Sequence, residues 1–369
     1  MILSRRAPHR ILFAALVGLA GCAGDDDGGP AAATGSSDGA TLPADDSAGS
    51  TNATPSATPN DGETTASGES TGRGSDSAGE TTTGSETTAD DSTDSTGDPP
   101  SACADNWPQW NDGSDCGLPD IQVHQVSDNT FLLRQSLCSN FEAPFMYLLF
   151  GTQRVLLQDT GAGNIEIAAA VYSVIDDWLT ANNQASIELV VVNSHGHGDH
   201  TQGNAMFQGQ PNTVVVGTGV AAVSSFFGIN NWPQETVQYD LGDRMLDIIA
   251  IPGHQSSHIA IYDHGENWLL TGDTLYPGRL YIADFPTYVE SIARMVEHVA
   301  DLPTCNVMGT HVEMTTTAGD DFPFGAVTHP SEHALQLTSS HLTELRDGVA
   351  AMAGAPVIEA HDDFIIYPL

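Results

Sequence analysis

The feature that most constrains this chain is an apolar stretch that ends in a cluster of histidines. Residues 187–192 are almost entirely aliphatic, and the next eight residues include His195, His197, Asp199 and His200. Such an apolar run predicts a buried strand. In the loop after it, alternate side chains can point the same way, so His195 and His197 can share one metal ion while Asp199 and His200 face a neighbouring one. Neutral imidazole and carboxylate suit zinc, and also iron or manganese.

Four further short motifs carry single histidines or aspartates. They are Gln158-Asp159-Thr160-Gly161, Pro252-Gly253-His254, Thr271-Gly272-Asp273-Thr274 and Gly309-Thr310-His311. With the first cluster, which has the form H-x-H-x-D-H, they stand in the order typical of the metallo-β-lactamase superfamily. The region from Ile121 to His311 closely resembles that superfamily. The resemblance implies an α/β fold of the four-layer αββα sandwich type and a metal-dependent hydrolase.

The resemblance also implies a ligand set for two divalent metal ions, with zinc expected and iron or manganese as alternatives. The ligands of the first ion would be His195, His197 and His254. The ligands of the second ion would be Asp199, His200 and His311, with Asp273 bridging the two.

Roles in catalysis follow from this ligand set. Two neighbouring metal ions lower the pKa of a shared water, and the resulting hydroxide attacks a carbonyl group while one metal stabilises the oxyanion. Asp199 is expected to help orient the nucleophile. Asp159 is expected to orient metal ligands through hydrogen bonds, although a turn-forming aspartate near Gly161 is an alternative explanation. The Gly-x-Ser-x-Gly matches at Ser37 and Ser70 lack the strand-to-helix turn of a serine nucleophile.

The remaining pattern of the chain supports the same fold class. Apolar runs predict strands at residues 121–124, 130–134, 145–150, 154–158, 187–192, 213–216, 244–251, 258–262, 268–270, 306–308 and 364–367. Apolar residues at helical spacing predict helices at residues 165–179, 220–227, 288–302 and 331–352. Strands lead, helices interleave, and the second half repeats the plan of the first, which favours two sheets packed face to face with helices outside.

Composition divides the 369 residues into three parts. Residues 1–21 combine three arginines with a short apolar run, as in a secretion signal. They end in Leu19-Ala20-Gly21, and the following Cys22 resembles the acylated cysteine of a bacterial lipobox; an ordinary signal peptide with a chance cysteine is the alternative. Residues 22–100 have almost no large apolar side chains and are expected to form a disordered linker. Residues 101–369 are the expected catalytic domain, held outside the cytoplasm by a lipid anchor in a membrane of the cell envelope.

The charge of the chain narrows its possible partners. The formal net charge is −38, from 48 acidic and 10 basic residues, and all the basic ones are arginine. Residues 101–369 hold 32 acidic residues against six arginines. Because nucleic acid binding depends on neutralising phosphates, a nucleic acid substrate is not expected, nor are anionic lipids as partners of the folded body. The expected partner is a small-molecule substrate.

Four cysteines lie beyond the lipobox. An even number in an exported protein fits two disulfides. Closeness in the sequence favours Cys103 with Cys116, which leaves Cys138 with Cys305, and the alternative is that some remain free buried thiols.

The residues at two motif positions indicate which branch of the superfamily this chain resembles. Flavodiiron oxygen reductases carry glutamate where this chain has His197, and Asp273 differs from the residues of two β-lactamase subclasses, so both activities are disfavoured. The chain is most similar to the glyoxalase II and lactonase branches. Tyr276 follows Asp273 at the D-x-x-Y spacing of acyl-homoserine lactonases, where the tyrosine hydroxyl aids the substrate carbonyl; a packed loop aromatic is the alternative. Glyoxalase II binds glutathione partly through basic side chains late in the chain, and here only Arg346 lies beyond Arg294.

Two further residues are candidates for substrate binding. Arg279 and Tyr281 lie just past the metal-binding motif and could contact a substrate anion, although Arg279 could equally form a surface ion pair in so acidic a protein. His258 and His264 are expected to be structural. The leading function is hydrolysis of an ester, thioester or lactone. The alternatives are a single-iron dioxygenase acting on persulfides and a non-catalytic metal-binding module.

Overall fold

The computed structural model describes Cys103, residues 107–352 and residues 354–369. The expected signal segment, the lipidation site Cys22 and the expected linker therefore lie outside the described residues. The helices of the described part are α1 (Ile167–Ala181), α2 (Gly198–Thr201), α3 (Val220–Phe227), α4 (Phe285–Val299) and α5 (Ser339–Ala351). None of these helices is long and apolar enough to cross a membrane.

The strands of the described part form two large sheets and one small one. They are β1 (Ile121–Ser127), β2 (Thr130–Gln135), β3 (Phe145–Phe150), β4 (Arg154–Gln158), β5 (Glu188–Val192), β6 (Thr213–Val215), β7 (Thr236–Asp240), β8 (Met245–Ala250), β9 (Ile259–Asp263), β10 (Trp268–Gly272), β11 (Arg279–Ile282), β12 (Asn306–Gly309), β13 (Gln336–Leu337), β14 (Glu359–Ala360) and β15 (Ile365–Pro368).

The first sheet has the strand order β1-β2-β3-β4-β5-β6. Strands β1 to β4 pair antiparallel in succession, whereas β4, β5 and β6 run parallel. Parallel neighbours need a crossover connection, and α1 supplies it between β4 and β5. The carboxyl ends of β4 and β5 therefore lie at the same edge of the sheet.

The second sheet has the order β13-β12-β10-β9-β8-β7. Both β8 and β10 pair antiparallel with β9, and β10 pairs parallel with β12. The carboxyl ends of β8, β10 and β12 therefore also share one edge. The small third sheet has the order β11-β15-β14.

Three groups of buried side chains define four layers. One group lies between the two large sheets, with Tyr147 and Val190 from the first sheet and Ile248 and Leu270 from the second. Another group joins the outer face of the first sheet to α1, and the third joins the outer face of the second sheet to α4 and α5. Burial of this apolar surface stabilises the fold at about 25 cal/mol per Å². The predicted sandwich, with helices outside two facing sheets, is confirmed.

The α1 helix illustrates how the sequence specifies these layers. Its buried residues Ile167, Val171, Ile175 and Trp178 recur every three or four positions, which is the spacing of one helical face. Trp178 stacks on Phe150 of β3 with ring centroids 4.7 Å apart. This apolar stripe is core, as the sequence predicts.

Each predicted strand is present, but the sequence did not reveal all strands. The strands that it did not predict are β7, β11, β13 and β14. Of these, β13 and β14 have two residues each and β11 has four. Elements of two residues carry too few positions for an alternating pattern to be recognised, whereas the missed five-residue strand β7 lacks a continuous apolar run.

The predicted helix at residues 331–352 is wrong over its first third. Helix α5 begins at Ser339, where Thr338 forms a capping box with His341. Ser331 has a φ of +59°, which a helix does not accommodate. Gln336 and the residue after it instead pair with β12.

The disulfide pairing expected from closeness in the sequence is also wrong. Cys103 is bonded to Cys305, and Cys116 is bonded to Cys138. Gly113 turns the chain with a φ of +81°, and its carbonyl oxygen lies 3.9 Å from Cys116 Sγ and 3.7 Å from Cys138 Sγ. This turn brings the two sulfurs together, and the order of cysteines in the chain does not reveal it.

Candidate metal centre

The predicted metal ligands lie beyond the carboxyl ends of strands. His195 and His197 follow β5, His254 follows β8, and Asp273 and His311 follow β10 and β12. The same ends of the two facing sheets therefore carry all of them. This is the end of a sheet at which α/β proteins commonly bind ligands.

Polar contacts hold the loop between β5 and α2. Asn193 Nδ2 donates to the His200 carbonyl oxygen at 2.6 Å, and Thr201 Oγ1 donates to the His197 carbonyl oxygen at 2.9 Å. These bonds close the loop onto the first turn of α2. His195, His197 and His200 consequently project from one constrained segment.

Gly272 lets β10 approach this loop closely. Its φ is +52°, and a Cβ atom there would lie 2.4 Å from His258 Nε2 and 2.9 Å from Ser194 Cβ. A larger residue would be strained at this φ and would push β10 away from the loop. The glycine therefore allows Asp273 to reach the histidines.

The first group of ligand atoms belongs to His195, His197, His254 and Asp273. His195 Nε2 lies 2.9 Å from His197 Nδ1 and 3.2 Å from His254 Nε2. His254 Nε2 lies 3.0 Å from His197 Nδ1. Asp273 Oδ2 lies 3.7 Å from His195 Nε2 and 3.6 Å from His254 Nε2.

The second group belongs to Asp199, His200, Asp273 and His311. Asp199 Oδ2 lies 3.1 Å from His200 Nε2 and 3.2 Å from His311 Nε2. Asp273 Oδ2 lies 3.3 Å from His200 Nε2, and its Oδ1 lies 3.4 Å from His311 Nε2. Asp273 thus belongs to both groups, and the structure brings all seven predicted ligands together.

Backbone carbonyl groups orient two of the histidines. His254 Nδ1 donates to the Tyr281 carbonyl oxygen at 2.7 Å. His311 Nδ1 donates to the Glu142 carbonyl oxygen at 2.8 Å. Because a carbonyl oxygen cannot donate, Nδ1 carries a proton in both rings, and each Nε2 atom faces the centre.

Asp159 and Ser194 orient the other buried histidines. Asp159 Oδ1 accepts from Ser194 N at 2.7 Å, and its Oδ2 accepts from Ser194 Oγ at 2.9 Å and from His200 Nδ1 at 3.1 Å. Ser194 Oγ also lies 3.1 Å from His195 Nδ1 and can accept a hydrogen bond from it. Asp159 is fully buried, with a φ of +69°. It therefore turns the chain and also contacts His200 directly and His195 through the serine.

Burial lowers the pKa values of the buried histidines in this cluster, whereas the neighbouring carboxylates raise them. Burial lowers the pKa of His195 well below its usual range and lowers the pKa of His254, so both rings stay neutral. Burial also lowers the pKa of His311, but the carboxylates of Asp273 and Asp199 outweigh it and raise that pKa to about 10. The acidic side of the centre therefore attracts positive charge.

The donor set fits divalent metal cations. Since the Nδ1 atoms of His254 and His195 face acceptors, two Nε2 lone pairs meet at 3.2 Å, and a cation between them removes the repulsion. The carboxylates of Asp159 and Asp273 are buried in the same cluster, and buried charges are paired or coordinate metals. His197 is exposed, which leaves one side of the centre open to solvent.

Tyr276 is buried beside the centre, with an exposed fraction of 2%. Its ring centroid lies 5.5 Å from that of His311. Its hydroxyl donates to the Arg279 carbonyl oxygen and lies 3.4 Å from Glu313 Oε2. The predicted contact with a substrate carbonyl stays a prediction.

Arg279 is held by acidic neighbours. Its guanidinium lies 2.6 Å from an Asp321 oxygen and 3.4 Å from a Glu313 oxygen, and it donates to the Phe322 carbonyl oxygen. The ion pair that the sequence offered as an alternative is therefore present. Tyr281 packs its ring on Tyr367 with centroids 5.1 Å apart, and a role of either residue in substrate binding stays a prediction.

Other histidines of the described residues lie outside both groups of ligand atoms. His258 is fully buried and packs against the His195 ring with centroids 4.6 Å apart. His264 contacts the Asp247 carboxylate at 2.8 Å. His333 was predicted to lie at the start of a helix and instead contacts Asp363 at 2.9 Å.

Some residues of the site were missed by the sequence analysis. Ser194 and Thr310 stand inside the motifs, beside His195 and His311, and the Thr310 hydroxyl donates to Asp273 Oδ1. Their place in the motifs was the available signal. Glu142 acts on His311 through its backbone carbonyl group, and a backbone contact leaves no signal in the residue type.

The fold and the site together define an α/β sandwich protein with a candidate metal centre at the strand ends. Residues 140–311 match the model of the metallo-beta-lactamase superfamily. The chain therefore contains a metallo-beta-lactamase superfamily domain.

Two curated relatives indicate its neighbours within the superfamily. The hydroxyacylglutathione hydrolase of Acaryochloris marina is 36% identical over 118 residues, which cover 29% of this chain and 46% of the relative. The acyl-coenzyme A thioesterase MBLAC2 of Bos taurus is 24% identical over 208 residues, which cover 47% of this chain and 75% of the relative. The chain spans about half the length of most of the curated relatives it matches. Among solved structures, the metallo-beta-lactamase from Pontibacter korlensis aligns with a TM-score of 0.43 and 16% identity, over 62% of this chain and 99% of that chain.

Proposed function

We propose that this protein is a metal-dependent hydrolase that cleaves a thioester or ester, including cyclic esters. The observation that carries the proposal is the pair of adjacent ligand groups that share Asp273. The names of the hydroxyacylglutathione hydrolase and thioesterase relatives support acyl transfer to water as the reaction class.

Two divalent cations, with zinc the first choice, are the expected cofactors. His195, His197 and His254 would hold one, Asp199, His200 and His311 the other, and Asp273 would contact both. When bound, such cations supply Lewis acidity that lowers the pKa of water and polarises a carbonyl group.

The side chains of the centre have separate tasks in this reaction. Asp199 is partly exposed, so its carboxylate can accept a hydrogen bond from the attacking water and orient it. Asp159 and the carbonyl groups behind His254 and His311 keep the imidazoles in one tautomer. The water oxygen bonds to the acyl carbon, and the carbon–sulfur or carbon–oxygen bond breaks. One water proton goes to the leaving thiolate or alkoxide, and the other leaves with the carboxylic acid product.

Metal analysis of the purified domain, together with a substrate screen, tests this proposal. We expect about two equivalents of divalent metal per chain, and metal-dependent turnover of simple thioesters, esters or lactones that chelation removes and added metal restores. Turnover that is unchanged in the chelated protein would contradict the proposal. A single iron with oxygen consumption on a persulfide would favour the dioxygenase instead.

We also propose that the domain is anchored to a membrane of the cell envelope by acylation of Cys22. The lipobox-like residues before this cysteine support the proposal. In a bacterial host, Cys22→Ser is expected to abolish incorporation of a labelled fatty acid. Equal labelling of the variant would contradict the anchor.

A further inference from the structure

We propose that the centre selects neutral or cationic acyl substrates over anionic ones, and that the Glu142 carboxylate sets this preference. The inference rests on the proposed function and narrows its substrate class. Three features of the described residues support it. The arginines already have hydrogen-bond or ion-pair partners, a cleft beside His311 has an acidic and aromatic lining, and the Glu142 carboxylate has no partner.

The arginines of the domain are already engaged. Five of the six contact carboxylates within the described residues: Arg134 with Glu332, Arg154 with Glu188, Arg244 with Asp263, Arg279 with Glu313 and Asp321, and Arg346 with Asp347. The sixth, Arg294, donates to the Ala250 carbonyl oxygen at 2.6 Å. The sequence has no lysine. An anionic group on a substrate would therefore find no unengaged cationic side chain among residues 107–352 and 354–369.

A shallow cleft lies beside His311 and has an acidic and aromatic lining. Its walls include Phe141, Glu142, Glu313 and Phe324. The rings of Phe141 and Phe324 lie 5.4 Å apart in an edge-to-face arrangement, and 72% of Phe324 is exposed. The cleft has a volume of only about 20 Å³, so an organic cation would contact its rim, where aromatic rings beside carboxylates attract such groups.

Arg279 also lines this cleft but does not reverse its charge. It contacts Asp321 and Glu313, so the two carboxylates neutralise the guanidinium and leave an excess of negative charge. With Glu142 added, the cleft repels anions and attracts cations.

Glu142 is the unpaired acidic residue of this cleft. Its side chain is half-buried, and in the described part of the chain its carboxylate has no hydrogen bond or ion pair. The Glu313 carboxylate, by contrast, accepts from the Arg279 backbone N–H at 2.7 Å. A partly desolvated carboxylate without a partner costs free energy. A cationic group on a bound substrate would supply the missing partner next to the metal ligands.

Three thioesters with the same butanoyl group and different leaving thiols test this inference: butanoylthiocholine, S-butanoyl mercaptoethanol and S-butanoyl 3-mercaptopropanoate. Their leaving groups carry a positive, zero and negative charge. We expect the metal-loaded protein to show kcat/KM values that fall in that order at low salt. The differences should shrink as salt screens the charges. An anionic thioester that equals or exceeds the cationic one would overturn the inference.

The variant Glu142→Gln tests whether the Glu142 carboxylate is responsible for the charge preference. We expect the ratio of kcat/KM for the cationic and anionic thioesters to fall about fivefold, the effect of one partly exposed charge pair. Glu142→Asp should keep most of the ratio, and Asp177→Asn, an exposed carboxylate on α1, should leave it unchanged. Metal content is measured for each variant. An unchanged ratio in Glu142→Gln at normal metal content would contradict the role of Glu142.

The proposed function and this inference fail in different ways. If none of the three thioesters, nor any other ester, shows metal-dependent turnover, the proposed function fails. The charge preference is then measured by calorimetry, as the dissociation constants of choline, 3-hydroxypropanoate and the three thioesters for the metal-loaded protein. Equal or reversed affinities in those measurements would overturn the inference independently.

Discussion

The metal centre and the cluster of Arg134, His329 and Glu332 are both buried and charged, but their contacts differ in kind. In the arginine cluster, Arg134 donates to both Glu332 oxygens at 2.6 and 2.5 Å, and His329 Nδ1 lies 2.9 Å from one of them. A carboxylate therefore lies between two cationic or donor groups. In the metal centre, by contrast, imidazole nitrogens face one another at 2.9 to 3.2 Å.

This difference separates a structural polar cluster from a binding site. Donors that meet acceptors satisfy each other, and such a cluster needs no further partner. Lone pairs that meet lone pairs need a cation from outside the chain. Both clusters combine histidine with carboxylate, so the presence of these residue types alone does not distinguish them. Substitutions in the metal centre should consequently reduce metal binding more than stability. Substitutions in the arginine cluster should reduce stability more than metal binding.

The largest effect is expected for His197→Ala. Loss of one imidazole from the first ligand group should lower activity at least about 1000-fold, because several kcal/mol of metal-derived stabilisation are lost. Metal content should fall, while the fold stays largely intact because His197 is exposed. His264→Ala, a partly exposed histidine paired with Asp247, is the matched control. Activity in His197→Ala equal to that of the parent protein would refute the ligand assignment.

In the arginine cluster, Glu332→Gln should reduce stability rather than metal binding. It leaves the Arg134 guanidinium buried without a counter-charge, so we expect the free energy of unfolding to fall by about 3 kcal/mol. Denaturant unfolding measures the loss, and metal content is the control. If Glu332→Gln lost metal but kept its stability, the structural role assigned to the arginine cluster would be wrong.

The ion pair of Arg134 and Glu332 also predicts how the stability of the fold depends on pH. Burial raises the pKa of Glu332, but the hydrogen bond from His329 and the Arg134 charge outweigh it and hold the pKa below the usual value of 4.5. Since the folded pKa is the lower one, the stabilisation is complete above about pH 4.5 and is lost as the pH falls through the folded value. The stability difference between the parent protein and Glu332→Gln should therefore shrink in acid. A difference that grows there would contradict this pairing.

A smaller effect is expected for Asp159→Asn, which tests the support behind the metal ligands. Asparagine tolerates the positive φ of this position but accepts through one oxygen only, so His200 and Ser194 lose part of their support. We expect metal affinity to fall about 10- to 100-fold. Competition with a chelator measures it. If the metal affinity of Asp159→Asn were unchanged, Asp159 would serve only to form the turn.

The smallest effect is expected for Tyr276→Phe. The hydroxyl donates to a backbone carbonyl group and is buried, so its loss should change lactone kcat/KM less than about threefold and cost about 1 kcal/mol of stability. Steady-state kinetics on a lactone, with thermal unfolding as the control, measures both. A much larger kinetic loss would support the direct role expected from the D-x-x-Y spacing.

The parts of the molecule that the sequence predicted are those with a local signal. Strand β3 is a continuous apolar run and β4 has an apolar centre, and the metal ligands follow apolar runs or glycine-containing turns. The start of α5 was missed because the apolar pattern continues into residues that pair with β12 instead. The arrangement of the cysteines and the ion pairs of Arg279 depend on which segments meet in space. The contact of the Glu142 carbonyl group with His311 involves only backbone, which no residue type can indicate.

The bond between Cys103 and Cys305 has a consequence for how the domain is held. Cys305 immediately precedes β12, and this strand runs from there toward His311, a distance of about 13 Å for four residues. The covalent attachment therefore lies at the back of the sandwich, at the end opposite the histidines. Any force on the chain at Cys103 is transmitted to β12, which has a neighbouring strand on each side in the second sheet, and the candidate metal centre lies at the other end of this strand.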